Sequence, residues 1–186
     1  MVQRDLMSIG ARAAASGPVN VVVETPAGSR NKYRFDEDLG LFLLHKTLPA
    51  GAMFPFDFGF IPGTRAEDGD PLDLLIVGNE PTFTGCLVTV RLLGVIEAKQ
   101  TEKGKTIRND RLIGTAETPK IRPGERSLSD LPARLLEQIE HFFVSYNDYE
   151  GRRFVIIGRK GPQVAAKQID EGIREYQEFK KRSIMP

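Results

Sequence analysis

Apolar residues recur along this chain first at the spacing of strands and only late at the spacing of helices. Residues 19–24 are mostly β-branched and end at Thr25-Pro26-Ala27-Gly28, which predicts a strand closed by a turn. Residues 32–35 and 41–44 predict two further strands, parted by the turn-like Asp36-Glu37-Asp38-Leu39-Gly40. The continuous apolar run at 72–77 predicts a buried strand. Residues 86–98 predict a longer one, with Gly94 as a bulge or bend. After Lys103-Gly104-Lys105, residues 106–114 predict one more strand. Short strands this closely spaced point to a small barrel or sandwich.

The helical period appears at Leu135, Leu136, Ile139, Phe142, Phe143 and Tyr146, behind Ser129 or Asp130 as cap and Pro132 in the first turn. A second helix is predicted after Gly161-Pro162, its buried face marked by Ala165, Ala166, Ile169, Ile173 and Tyr176. Residues 154–157 predict a strand between the two. Four phenylalanines in the segment from Phe54 to Phe60 predict a packed aromatic loop. No repeat or long linker divides the chain, so residues 1–186 are expected to form one domain, with 1–18 as an N-terminal extension.

Composition narrows the classes. A 186-residue chain, 40% hydrophobic and 27% charged, is long enough for one real core. A net charge of +1 argues against a dedicated nucleic-acid binder. A single cysteine, Cys86, excludes an internal disulfide and a cysteine metal cage, and two scattered histidines do not suggest zinc. No apolar run is long enough to span a membrane, and the first residues lack the apolar stretch of a signal peptide, so a cytoplasmic location is expected.

The chemistry concentrates at Glu67-Asp68-Gly69-Asp70-Pro71-Leu72-Asp73. Three aspartates lie within one short Gly/Pro turn that runs into an apolar strand. Clustered carboxylates repel, and the cluster is costly unless cations sit between them. An acidic turn exposed to water is the plain alternative. An EF-hand loop has the Asp68/Asp70 spacing but is excluded by Pro71 and Leu72. Hard divalent cations held by oxygen ligands suit the remaining pattern, and Mg²⁺ keeps waters or phosphates in its shell.

Asp68-Gly-Asp70-Pro-Leu-Asp73 resembles the D-G-D-P-x-D signature of the soluble family I inorganic pyrophosphatases. The order of Val23-Glu24-Thr25-Pro26-Ala27, Asn31-Lys32-Tyr33, residues 54–64 and His141-Phe142-Phe143-Val144-Ser145-Tyr146 is similar to further elements of that family. The resemblance implies an α+β, mainly β fold: a five-stranded OB-like barrel with flanking helices, two of them C-terminal. It implies Mg²⁺-dependent hydrolysis of pyrophosphate to two phosphates by a metal-activated water, with Mn²⁺ or other divalent cations as substitutes for Mg²⁺. It also implies a homo-oligomer, a hexamer in bacterial members of this length. By position, Asp68, Asp70, Asp73 and Glu24 match metal-binding acids, and Asp70 also matches the catalytic base. Lys32, Lys46, Arg111 and Tyr146 match substrate-binding positions. The family's second acidic pair, D-x-x-x-x-D-x-K, has Glu102 for its first acid and Asn109 or Asp110 for its second, Asp110 being the one that keeps a carboxylate. The spacing there is stretched by about two residues.

Departures from the family pattern are Phe58 for tyrosine, Asp57 for asparagine, Lys46 for arginine and Asn147 for lysine. They leave two other expectations in play: hydrolysis of another phosphoanhydride on the same fold, or a non-catalytic OB-like module that binds an anion or a partner. The pattern matches pyrophosphate chemistry in outline. A small polyanion offers no carbon to recognise, so its site must supply cations.

Overall fold

β-Branched and aromatic strands here pair round into a closed five-stranded ring, which removes the open edges a flat sheet of the same strands would have. The computed structural model describes residues 5–13, 17–78, 80–118 and 124–184. In chain order the strands are β1 (Val19–Thr25), β2 (Asn31–Asp36), β3 (Leu41–Thr47), β4 (Asp57–Phe60), β5 (Asp73–Val77), β6 (Leu87–Glu102), β7 (Lys105–Arg108), β8 (Arg111–Ala116) and β9 (Arg153–Lys160). The helices are α1 (Ala133–Tyr149) and α2 (Pro162–Ile184). β1, β4, β5, β8 and β6 are neighbours in that order, and β6 pairs back onto β1, closing a five-stranded ring. β7 and β9 extend the sheet from the far half of β6, and β2–β3 forms a separate hairpin. The expected mainly β barrel with flanking helices is the observed fold.

Two apolar clusters hold it together. On one side Leu75, Ile96 and Ile113 of the barrel pack against Leu136, Ile139 and Phe143 of α1. On the other, Val21, Val95 and Leu112 pack against Ala165 and Ile169 of α2. Each fully buried Leu, Ile, Val or Phe contributes about 1.5–3 kcal/mol, so both helices are integral to the barrel. The described part of the N-terminal segment also packs: Met7 is buried with Val22 and Phe60, and Arg12 bonds Asp170 of α2. Residues 1–4 and 14–16 of that segment lie outside the described residues.

Three local expectations need correction. The aromatic segment is not only a loop, because residues 57–60 form β4, between β1 and β5, buried at every position. Gly59 makes this possible: a Cβ there would lie 2.1 Å from the carbonyl oxygen of Val22. The run at 106–114 is two strands rather than one. It breaks at Asn109-Asp110, where the Asp110 carboxylate takes the Ala98 N–H; β8 then resumes along β6 in the same register and pairs parallel to β5 on its other side. The first helix is preceded by Pro132 with no side-chain cap; Asp130 instead accepts from the backbone of Ser127 and Arg126 in a short 3₁₀ turn. The bulge at Gly94 is present, with φ +154° and a shifted register against β8.

Candidate functional site

The acidic turn lies between β4 and β5 and folds on its own polar groups. Asp70 N–H donates to Asp68 Oδ1 at 3.1 Å, Ala66 N–H to Asp70 O at 2.7 Å, and Gly69 takes φ +95°. Its base is pinned by Thr64, whose Oγ1 donates to Ile61 O and accepts from Leu72 N–H. Arg65 N–H donates to Gly172 O of α2. Asp73 then opens β5, paired opposite Phe60. A short Gly/Pro turn thus presents Asp68, Asp70 and Asp73 on one wall of a cleft of about 1340 Å³.

Glu24 reaches the same cleft from β1. It is buried, and its Oε1 accepts from Phe35 N–H at 2.8 Å. Burial pushes its carboxyl up to about 7, against the pull of that hydrogen bond and of Lys32. Asp68 has surface open to solvent but stands within the concave wall. Desolvation there, with repulsion from Asp70 and Asp73, raises its carboxyl. Such a wall favours cations.

Basic groups line the same cleft, two of them in contact with the acids. Lys32 of β2 lines the cleft, its Nζ 5.4 Å from the Phe58 ring and 5.6 Å from the Tyr146 ring. Arg34, two residues on along β2, lies 3.3 Å from Asp70. Arg111 at the start of β8 donates from Nη1 to Asp73 Oδ2 and to Asn109 Oδ1, both at 2.6 Å. Its guanidinium lies over the rings of Phe143 and Phe154 at 5.3 and 5.6 Å. Lys46 and Tyr146 adjoin this floor without lining the cleft: Lys46 Nζ is 2.5 Å from Glu150 and 4.9 Å from the Tyr146 ring. Burial raises the Tyr146 hydroxyl, partly offset by Lys46.

The sequence-derived residues therefore divide. Glu24, Lys32, Asp68, Asp70, Asp73, Asp110 and Arg111 all line the cleft. Glu102 does not; it lies at the far end of β6, 2.9 Å from Arg152. Asp110 lines the cleft, but donors occupy its carboxylate: Ala98 N–H at 2.9 Å, Arg108 at 2.5 Å and Gln168 at 2.7 Å. Asn109 lines the cleft, and its Oδ1 accepts from Arg111. Among the described residues no three Asp, Glu, His or Cys side chains close round a single point. The four carboxylates Glu24, Asp68, Asp70 and Asp73 share a wall instead, as suits hard cations that keep water in their shell. Sequence reading missed Arg34, which lines the cleft. Arg34 was within reach, since Lys32 and Arg34 share a strand face by period two. Asn147 is buried and donates to Phe143 O, so it points into the helix packing and not into the cleft. Asp57 is likewise buried and accepts from Ala27 N–H and Thr82, fastening two loops.

A closed barrel whose cleft brings carboxylates and basic side chains together defines an OB-like protein with a charged site. Comparison with known proteins narrows the class. The family described as inorganic pyrophosphatase matches residues 21–177. The inorganic pyrophosphatase of Geobacillus stearothermophilus is 40% identical over 163 residues, covering 87% of this chain and 96% of that protein. That of Synechocystis is 36% identical over 172 residues, covering 92% and 99%. Among solved structures, the inorganic pyrophosphatase of Thermus thermophilus superposes with a TM-score of 0.84 at 32% identity, covering 94% of this chain and 99% of that one. The chain belongs to the inorganic pyrophosphatase family, and is a hydrolase acting on phosphoanhydrides.

Proposed function

We propose that this protein hydrolyses inorganic pyrophosphate to two phosphates in a divalent-cation-dependent reaction, with Mg²⁺ as the working ion. The observation that carries this reading is the joint placement of Glu24, Asp68, Asp70 and Asp73 in one cleft that Lys32 and Arg111 also line. These oxygen donors fit hard cations, and the raised carboxyls of Glu24 and Asp68 fit a wall that waits for positive charge. Bound divalent cations would supply charge neutralisation on the phosphoryl oxygens and acidify a water near neutral pH.

The chain's own residues do the rest. Asp70 is exposed, and among the described residues its carboxylate has its one ion pair with the solvent-facing Arg34, so it can take a proton from water. Lys32, held over the Phe58 and Tyr146 rings, and Arg111, held over Phe143 and Phe154, present fixed cations to phosphate. Holding them in place beforehand avoids reorganising them when charge builds on the leaving phosphate. Lys46 is engaged with Glu150 and would reach substrate by leaving that pair.

The reading extends to a cytoplasmic enzyme that works as a homo-oligomer, most readily a hexamer with closed symmetry. Exposed Val155 and Ile157 on β9 and Val144 and Tyr149 on α1 offer apolar surface for such contacts. Light scattering should give a mass several times 20.7 kDa at micromolar concentration; a monomer would defeat the assembly claim. The activity is tested by initial rates of phosphate release from pyrophosphate, triphosphate nucleotides and polyphosphate at fixed Mg²⁺. Pyrophosphate should be the best substrate. A faster rate with another phosphoanhydride would replace it.

A further inference from the structure

Where the end of the barrel portion of β6 meets the β7–β8 junction, two amides face each other. Asn109 Nδ2 donates to Gln100 Oε1 at 2.8 Å. Gln100 is buried, and Asn109 lines the cleft. The other end of the Asn109 amide, Oδ1, accepts from Arg111 Nη1, which continues to Asp73 Oδ2. The result is one chain of contacts, Gln100–Asn109–Arg111–Asp73, in which the only carboxylate already has a cation on one oxygen. The acids nearest in sequence do not enter it. Asp110 is taken by Ala98 N–H, Arg108 and Gln168, and Glu102 by Arg152.

Arg111 is also fixed there. Its side chain is over nine-tenths buried, its guanidinium is over two phenylalanine rings, and its Nε has no partner among the described residues. Neutral amide oxygens bind Mg²⁺ or Mn²⁺ more weakly than carboxylates do, and a divalent ion beside Arg111 would meet like charge.

We infer that Arg111 is a resident cation of the cleft, and that the Gln100–Asn109 amide pair sets the number of divalent ions the site takes, one fewer than with carboxylates at those two positions. The inference rests on the pyrophosphatase reading for the cleft's purpose, yet it concerns ion number, which is measured without substrate.

The test counts Mn²⁺ bound to the metal-free full chain by the electron paramagnetic resonance signal of the remaining free ion. Three proteins are compared: wild type, Gln100→Asp/Asn109→Asp and Gln100→Ala/Asn109→Ala, each checked for folding by circular dichroism. The acidic variant should bind one Mn²⁺ more per chain than wild type. The alanine variant should bind the same number as wild type, since the amides hold no ion. An acidic variant that folds and gains no ion overturns the inference. So does an alanine variant that loses one, because the amides would then be ligands. Should the double acidic variant fail to fold, Asn109→Asp alone, at the position that lines the cleft, takes its place: a gain of one ion supports the inference and no gain overturns it. Phosphate release is measured in parallel. A wild type that releases phosphate while its ion count matches the acidic variant overturns this inference and leaves the hydrolase reading standing. A wild type that binds no Mn²⁺ at all overturns both.

Discussion

Replacing Glu24 by glutamine should stabilise the metal-free protein at alkaline pH while weakening its chemistry. Glu24 is only 8% exposed, and its carboxyl is raised from an ordinary 4.5 to about 7, chiefly by burial. That difference corresponds to about 3 kcal/mol of penalty on the charged form, at ~1.4 kcal/mol per pH unit. The sign follows from where the proton sits. The folded pKa lies above the unfolded one, so between 4.5 and about 7 the folded chain holds a proton that the unfolded chain has released. Stability tied to this group is therefore complete below 4.5 and is lost as pH rises through about 7. Glutamine keeps an oxygen to accept from Phe35 N–H and carries no charge. Urea unfolding of both proteins with chelator present, at equal protein concentration, should show a small gap at pH 5. By pH 8.5 the variant should be ahead by about 2.5 kcal/mol more than at pH 5, by linkage over that range. Taking the difference between the two proteins cancels the other titrating groups. A gap that does not change with pH would refute the reasoning and show that Glu24 is solvated in the folded protein.

Three other outcomes are expected. Gly59→Ala would drive a Cβ to within 3 Å of the Val22 and Val23 backbone, which cannot yield as a side chain can. The loss should be about 3 kcal/mol, read as a fall in the urea midpoint; wild-type stability would mean that the β1–β4 seam is looser than described. Asn147→Lys, attractive by family pattern, should destabilise by roughly 3 kcal/mol or more, because it buries an ammonium where an amide now donates to Phe143 O. A raised kcat/KM in that variant would contradict the placement. Asp70→Asn should keep the wild-type melting temperature and lower phosphate release by a factor on the order of 10² or more; wild-type turnover would remove Asp70 from the chemistry.

Local chemistry makes much of the candidate site legible in the sequence. Asp68, Asp70 and Asp73 are held by a turn of their own making, so a short motif specifies them. Glu24 and Lys32 are fixed by strands whose patterns are plain. The second acidic pair was not legible, because its placement depends on an elongated hairpin. The β6–β7 hairpin carries Glu102 opposite Lys105, past the barrel, and the stretched spacing noted in the sequence is that extension. Gln100 and Asn109 then meet across it, a contact between residues that carry no charge and follow no local pattern. β4 was hidden for a different reason: all four of its residues are buried, so it lacks the alternation of a half-exposed strand, and prolines stand close on either side at Pro55 and Pro62. The break at Asn109-Asp110 depends on a side chain, Asp110, capping a backbone N–H of another strand, which periodicity cannot report.

The central claim is that an acid wall built from Asp68, Asp70, Asp73 and Glu24 holds divalent cations for pyrophosphate hydrolysis. Its most direct test is the rate of phosphate release from pyrophosphate by the wild-type protein, with Mg²⁺ and again after chelation. The account predicts rapid release with Mg²⁺, loss of that release on chelation, and its return when Mg²⁺ is restored. Release at the same rate with all divalent cations removed would contradict it.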